Sequence, residues 1–149
     1  MTEPSDDTDA APPRAEALKA LIGQIMRFGV VGVIGFVVDT ATVYGLHFSA
    51  GADLYTAGAL AYVVAATTTW ALNRAWTFRT ASRERPARQW ALFLAVQLIG
   101  FALNRGTYAA LVTFLPLAAA HPVIAVAAGS IAGMGVNFIT ARAIVFRAK

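Results

Sequence analysis

The chain contains no cysteine, and charged residues make up only 13% of it. The lack of cysteine excludes disulfide bonds, thiolate nucleophiles and cysteine-bound metals. A soluble domain has about 25% charged residues, so the low charge excludes an ordinary soluble domain. Apolar residues take the place of the missing charge, because 58% of the 149 residues are hydrophobic. This composition is that of an integral membrane protein with a single domain.

Motifs for covalent chemistry are also missing. The sequence has no Gly-rich phosphate loop, HExxH motif, nucleophile–base spacing or pair of carboxylates. His47 and His121 have no carboxylate cluster beside them and make a poor metal site. We therefore expect no enzymatic activity, no metal and no cofactor.

Four apolar segments follow an acidic start. Residues 1–15 are acidic, contain prolines and predict a disordered tail. Residues 16–27 carry apolar side chains at helical spacing, which predicts either a helix on the inner membrane surface or a cytoplasmic extension of the first span. The four predicted spans are long enough to cross a hydrocarbon core of ~30 Å, and they cover about residues 28–48, 54–72, 90–111 and 123–144.

The basic residues indicate the orientation of these spans. Eleven of the twelve lie on one side of the predicted membrane, and the twelfth, Arg105, lies inside span 3. The two loops on the other side contain none. By the positive-inside rule, both termini face the cytoplasm. Because the basic residues cluster where apolar spans end, we expect membrane lipids as their partners and no nucleic acid.

The sequence also contains an internal duplication. Span 2 ends in Asn-Arg-Ala-Trp-Thr-Phe-Arg at residues 73–79, and span 4 ends in Ala-Arg-Ala-Ile-Val-Phe-Arg at residues 141–147. Residues 28–46 match residues 93–111 at seven of nineteen positions. Each copy holds two spans, so both copies have the same topology. We therefore predict an all-α integral membrane protein built as a parallel two-helix tandem repeat, spans 1–2 and 3–4.

Two charged residues lie inside the predicted spans. Asp39 is near the middle of span 1, where a charge costs about 2.5–3.5 kcal/mol on insertion scales. The repeat alignment places Arg105 of span 3 at nearly the same depth. We expect an Asp39–Arg105 ion pair, which would either hold the helices in register or open when an anionic headgroup competes for Arg105.

Amides and arginines supply the other candidate binding groups. Amides offer hydrogen bonds to a sugar, and arginines at the inner span ends either bind a lipid phosphate or only set the topology. The candidate binding or translocation residues are Asp39, Gln97, Asn104, Arg105, Asn73, Arg74, Asn137 and Arg142. Aromatic and basic side chains next to a span end are typical of interface anchors. The anchors predicted here are Trp76, Phe78, Arg79, Phe146 and Arg147.

Together these motifs resemble the GtrA-like family. The resemblance rests on the two pairs of spans, Asp39, the Asn-Arg-x-Trp-Thr-Phe ending of span 2 and the Asn137-Phe138…Arg142…Val145-Phe146 ending of span 4. It covers about residues 27–147 and implies a GtrA-like transmembrane domain over residues 28–149. It also implies flipping of a polyprenyl-phosphate-linked monosaccharide across the bacterial cytoplasmic membrane for cell-surface polysaccharide synthesis, with a glycosyltransferase as the expected protein partner.

Two other functions stay open at this point. The first is a non-transporting anchor that recruits a glycosyltransferase through its inner basic loop. The second is a small four-span drug/proton exchanger with Asp39 as proton carrier. The charge bias and the duplication favour the flippase and the anchor over the exchanger. A homodimer is a further expectation, with Gly129 and Gly133 at GxxxG spacing as one candidate contact.

Overall fold

The computed structural model describes residues 14–81 and 85–147, and all regular structure within them is helical. The predicted acidic tail lies outside the described residues except for its last two positions. The helices are α1 (Arg14–Tyr44), α2 (Leu54–Leu72), α3 (Pro86–Phe114), α4 (Pro116–Ala120) and α5 (Pro122–Thr140). Three π-helical turns extend α1, α2 and α5 over Gly45–Ser49, Asn73–Thr77 and Ala141–Val145.

Capping residues and prolines determine where the helices begin. Asp53 caps α2, because its carboxylate accepts hydrogen bonds of 3.0 Å from the backbone N–H groups of Tyr55 and Thr56. The hydrogen bonds of Thr56, from its side chain and backbone, and that of Tyr55 lower the pKa of Asp53. Helices α3, α4 and α5 each begin at a proline, which lacks the N–H that the first helical turn leaves unpaired.

Helix α1 is continuous over 31 residues. Residues 16–27, for which the sequence predicts either an interfacial helix or an extension of span 1, form one helix with the residues that follow them. Their apolar side chains are largely exposed, as at Leu18, Ile22 and Met26. In the part of the chain that the structure describes, no break in α1 separates a surface helix from a span.

The protein is an integral membrane protein. Three helical stretches, Arg14–Ser49, Pro86–Phe114 and Pro122–Val145, are long and apolar enough to cross a bilayer. Large apolar side chains cover their outer surfaces, and Val37 and Phe114 are 58% and 83% exposed. In water such a surface would be unfavourable, whereas lipid tails are as apolar as the side chains that face them.

Helix α2 is not one of these three stretches, and it contains three consecutive threonines, Thr67, Thr68 and Thr69. Each threonine hydroxyl donates to a carbonyl three or four residues earlier in the same helix, at 2.7–3.1 Å. The hydroxyls are therefore satisfied without water. With 19 residues, α2 is about 28 Å long at 1.5 Å per residue.

The four long helices form a ring. Helix α1 packs along α2 and α3 packs along α5, while α2 meets α3 and α1 meets α5 more briefly. Small residues permit the close pairs: Gly35 faces the side chain of Thr69, and Gly100 faces the side chain of Asn137. Among the described elements, α1 and α3 lie diagonally across the ring, and their Cα atoms do not come within 8 Å of each other.

The candidate dimer contact is used inside the chain. A Cβ atom at Gly129 would lie 2.6 Å from the Asn104 carbonyl oxygen, and one at Gly133 would lie 2.8 Å from that of Gly100. Both glycines are buried against α3 of the same chain. The prediction that this GxxxG pair forms a dimer contact is therefore wrong, because α3 already covers it. The homodimer stays a prediction without an assigned contact.

A cluster of phenylalanines forms the core at the end of the ring where α2 and α5 finish. Phe78 and Phe146 stack with centroids 4.8 Å apart and an angle of 13° between the rings. Phe28 packs edge-on against Phe78 at 6.3 Å and 65°, and Phe93 packs likewise against Phe146 at 5.9 Å and 62°. Phe28 and Phe93 are matching positions of the two repeat copies, and so are Phe78 and Phe146. The same edge-on contact therefore occurs once in each copy.

Two predicted interface anchors therefore belong to the core. Phe78 and Phe146 are only 4% and 3% exposed, so the prediction that they anchor the protein at the membrane interface is wrong. The physical reason is the π-helical turn before each ring, which closes with a 2.8 Å hydrogen bond from the ring residue's N–H to the Asn73 or Ala141 carbonyl. Arg79 and Arg147 are exposed and Trp76 is half-buried, so these three stay predicted anchors.

Candidate functional site

A cavity lies among the four long helices. Its volume is about 640 Å³, within the roughly 300–1,000 Å³ range of small-molecule sites. All four helices contribute to its wall, together with the turn that follows α2. The lining residues are Phe28, Gly29, Gly32, Val33, Phe36, Tyr62, Thr69, Asn73, Gln97, Gly100, Phe101, Asn104, Arg105, Ser130, Gly133, Met134 and Asn137.

Three amide side chains on this wall are incompletely hydrogen-bonded. The side-chain oxygens of Asn73, Gln97 and Asn137 are buried, and none has a hydrogen-bond partner in the described chain. Leaving such a group unsatisfied costs about 1–3 kcal/mol. A cavity beside unsatisfied polar groups has room for water or for ligand hydroxyls that complete the bonding. Because amide oxygens accept hydrogen bonds, the wall is suited to a ligand with donors such as hydroxyl groups.

Arg105 gives the same wall a positive charge. The side chain is exposed, and its guanidinium carbon lies 5.6 Å from the centre of the Phe101 ring. A cation over an aromatic face is attracted by the ring electrons. This contact positions the guanidinium at the cavity and leaves its N–H groups available for an anion. Asn104 and Arg105 both line the cavity, as the sequence placed both in span 3.

The expected ion pair between Asp39 and Arg105 does not form in the described structure. Their helices, α1 and α3, lie diagonally across the ring, and their Cα atoms do not come within 8 Å of each other. Asp39 is half-buried and does not line the cavity. Depth alone suggested the pairing, and depth does not determine which helices are neighbours.

The structure thus brings some of the candidate residues together and separates others. Gln97, Asn104, Arg105, Asn73 and Asn137 border the central cavity. Asp39, Arg74 and Arg142 lie outside it. The Nδ1 atom of His47 lies 2.8 Å from the Ala52 carbonyl oxygen, which ties a connecting loop together. No group of three or more candidate metal ligands occurs among the described residues.

A comparison with protein families identifies the chain. The model of the GtrA/DPMS transmembrane domain matches residues 27–146, which include every residue of the cavity wall and of the phenylalanine core. The chain belongs to the GtrA/DPMS transmembrane-domain family. This result confirms the GtrA-like resemblance and identifies a membrane protein of a family associated with lipid-linked sugars.

In this GtrA/DPMS domain, Arg74 has partners within the chain. Its Nη1 atom donates to Gln89 Oε1 at 2.7 Å, and Gln89 Nε2 donates to the Val145 carbonyl oxygen at 3.1 Å. The Arg74 guanidinium also lies 5.4 Å from the centre of the Trp70 ring. These contacts connect the end of α2, the start of α3 and the turn after α5. Sequence reasoning missed Gln89, since a lone glutamine at the start of a span gives no signal.

Two further hydrogen bonds connect α2 to α3 in the same GtrA/DPMS domain. The Tyr62 hydroxyl donates to the Leu94 carbonyl oxygen at 2.9 Å, and Trp90 Nε1 donates to Thr67 Oγ1 at 2.9 Å. Each bond satisfies a polar atom that lipid could not. We call this contact between α2 and α3 the closed seam.

Arg74 and Arg142 occupy matching sequence positions but should respond differently to substitution. We expect Arg74→Lys to lower the thermal midpoint, because lysine loses the planar donor group that bonds Gln89, a contact type worth about 1.5–3 kcal/mol. Arg142→Lys should leave the midpoint unchanged, because Arg142 is exposed. Unfolding of both purified variants in detergent tests this. An equal effect of the two substitutions would contradict a structural role for Arg74.

Proposed function

We propose that this protein translocates a polyprenyl-phosphate-linked monosaccharide across the bacterial cytoplasmic membrane for cell-surface polysaccharide synthesis. The central cavity with its three incompletely bonded amides is the observation that carries this proposal. An unsatisfied polar group in lipid costs several kcal/mol. Asn73, Gln97 and Asn137 would replace the hydrogen bonds that sugar hydroxyls lose when they leave water.

Arg105 would compensate the negative charge of the phosphate in the same substrate. A phosphate in the bilayer core needs a compensating cation, and Arg105 is the basic residue on the cavity wall. Its N–H groups point to no acidic partner among the described residues, so a phosphate would not need to displace one. The proposed activity forms and breaks no covalent bond, so we propose a transporter and not an enzyme.

We further propose four membrane spans, α1, α2, α3 and α5, in a parallel tandem repeat with both termini cytoplasmic. The recurrence of the Gly35–Thr69 contact as Gly100–Asn137 supports the repeat. The two edge-on phenylalanine pairs recur in the same way. Helix α2 has the length of a span and satisfies its own hydroxyl groups, which supports its place in the bilayer.

Cysteine labelling tests this topology, and the absence of natural cysteines leaves no background. We expect Ala50→Cys and Ala119→Cys to react with a membrane-impermeant maleimide added outside intact cells. Thr80→Cys and Ala87→Cys should react only after the cells are opened. All four positions are exposed in the structure, so failure to react reports the side of the membrane. Outside labelling of Thr80→Cys would overturn the four-span arrangement.

Translocation in vesicles that contain only this protein tests the function. We expect a fluorescent polyprenyl-phosphate monosaccharide to move between leaflets faster than in protein-free vesicles. A glycosyltransferase is the proposed partner in the cell but is left out of the assay. If translocation in these vesicles is no faster than in protein-free vesicles, the proposal is wrong and the non-transporting anchor becomes the better explanation. Asp39, the proton carrier of the exchanger alternative, does not line the central cavity.

A further inference from the structure

A second opening, which we call the lipid groove, lies between α1 and α5 on the outer surface of the ring. Its volume is about 670 Å³. Leu21 and Ile25 of α1 and Phe138 and Ile139 of α5 give it apolar walls. At the end of α5, the groove reaches Arg142 and Arg147. It therefore combines a long apolar wall with a positive charge at one end.

The two arginines are available to a ligand. Arg142 and Arg147 are exposed, and within the described chain neither has a hydrogen-bond or acidic partner. Arg74, at the matching position of the first copy, instead bonds Gln89. The matching residues Arg74 and Arg142 therefore differ, because the first is engaged within the chain and the second is available. Two guanidinium groups that line one groove suit a phosphate, because each offers several N–H donors.

The contacts between helices show the same inequality. The closed seam between α2 and α3 is held by side-chain hydrogen bonds from Tyr62 and Trp90. Within the described residues, no side-chain hydrogen bond joins α1 to α5. Of the two briefer contacts in the ring, α1–α5 is therefore the one that can separate without breaking a side-chain hydrogen bond.

Only two side chains are shared by the lipid groove and the central cavity. Phe28 and Met134 line both. Methionine has three rotatable bonds and adapts its shape easily, and an added Cβ at Gly29 would lie 3.9 Å from the Met134 sulfur. The wall between the two spaces is thus one ring and one flexible side chain.

We propose that the lipid groove holds the isoprenyl chain of an isoprenyl phosphate, with its phosphate at Arg142 and Arg147 before the headgroup reaches Arg105 in the central cavity. This inference rests on the proposed function. It places the hydrocarbon chain of the substrate beside the central cavity, between α1 and α5. A single apolar groove that ends at two arginines fits one hydrocarbon chain that ends in phosphate. A phospholipid brings two chains for the same space. Phe28 and Met134 separate the chain in the groove from the sugar site in the cavity.

Photo-crosslinking locates the chain without requiring translocation. The full-length protein in vesicles receives a long isoprenyl phosphate with a diazirine on its chain, and labelled peptides are mapped by mass spectrometry. We expect labels on groove residues of α1 and α5. Excess unlabelled isoprenyl phosphate should remove the label, and the same excess of phosphatidylglycerol should not. Equal competition by phosphatidylglycerol, or labels confined to other surfaces, would overturn the proposal.

A substitution that fills the groove gives a second test. Gly135 lines the groove, and an added Cβ there meets no atom within 4 Å. We expect Gly135→Trp to reduce labelling by about tenfold or more. Gly106→Trp is the matched control, since Gly106 also has open space but lines neither opening. Unchanged labelling of folded Gly135→Trp would overturn the proposal. If this variant does not fold, the peptide map of the unmodified protein tests the proposal by itself.

The two proposals fail separately. Labels in the groove without sugar translocation would support the lipid groove and contradict the flippase. Translocation with labels elsewhere would support the flippase and contradict the groove. Both readouts come from the same vesicles, so differences in protein amount do not affect the comparison.

Discussion

Gly133→Val is expected to destabilise the protein strongly. The added side chain would meet the Gly100 carbonyl oxygen, which lies 2.8 Å from an ideal Cβ, and the Asn104 Cβ at 3.1 Å. A backbone carbonyl in a helix cannot rotate away, so α3 and α5 must move apart. Overpacking of this kind costs about 1–3 kcal/mol. The loss appears as a lower thermal midpoint and less monodisperse protein in detergent.

The same helix provides the control. Gly135 lies two residues further along α5, and an added Cβ there has nothing within 4 Å. Gly135→Val introduces the same β-branched residue with the same cost in helix propensity. We expect its midpoint to stay close to that of the unmodified protein. Equal losses from the two substitutions would show that α3 and α5 do not cross closely at Gly133.

Gln97→Met should separate stability from transport. The Gln97 side-chain oxygen is buried without a partner, so replacing it with an apolar group of similar length removes a cost of about 1–3 kcal/mol. We expect the thermal midpoint to stay the same or rise. Translocation should fall by about tenfold, which corresponds to the loss of one hydrogen bond of about 1.4 kcal/mol to the sugar. Vesicle translocation normalised to protein amount measures the second effect.

Gln89→Met is the matched control, because it is the same substitution in the same helix. Gln89 accepts a hydrogen bond from Arg74 and donates one to the Val145 carbonyl. Gln89→Met leaves the partly buried Arg74 guanidinium without this acceptor and the Val145 carbonyl without this donor. The thermal midpoint should therefore fall. If Gln97→Met were as destabilising as Gln89→Met and translocation per folded protein were unchanged, Gln97 would be structural and not part of a sugar site.

The amides of the candidate site and the family of the protein could both be predicted from the sequence. The amides Asn73, Gln97 and Asn137 stand out because polar groups in apolar spans are costly and therefore usually functional. The family could be recognised because the motif at residues 73–79 is local in the chain. Helix ends were less predictable: the sequence predicts span 3 from residue 90, but α3 begins at Pro86 because proline suits the first helical turn.

The contacts that charged and aromatic residues make in the fold could not be predicted from the sequence. Asp39 and Arg105 have complementary charges at similar depth, but the order of helices around the ring keeps them apart. Phe78 and Phe146 have the composition of interface anchors, but they stack on one another in the core. Burial depends on which distant segments meet, and a residue's own neighbours in sequence carry no record of that.

Composition and the length of the apolar segments by themselves determined that the protein is a helical membrane protein, because hydrophobicity over a span is a sum over local residues. Only the tertiary structure decided the roles of the arginines and glycines. Arg74 and Arg142 match in sequence, but Gln89 approaches one of them and leaves the other at an open groove. Gly133 and Gly135 lie in one helix, but α3 contacts only the first. Such differences follow from packing between helices, which is a property of pairs and not of single residues.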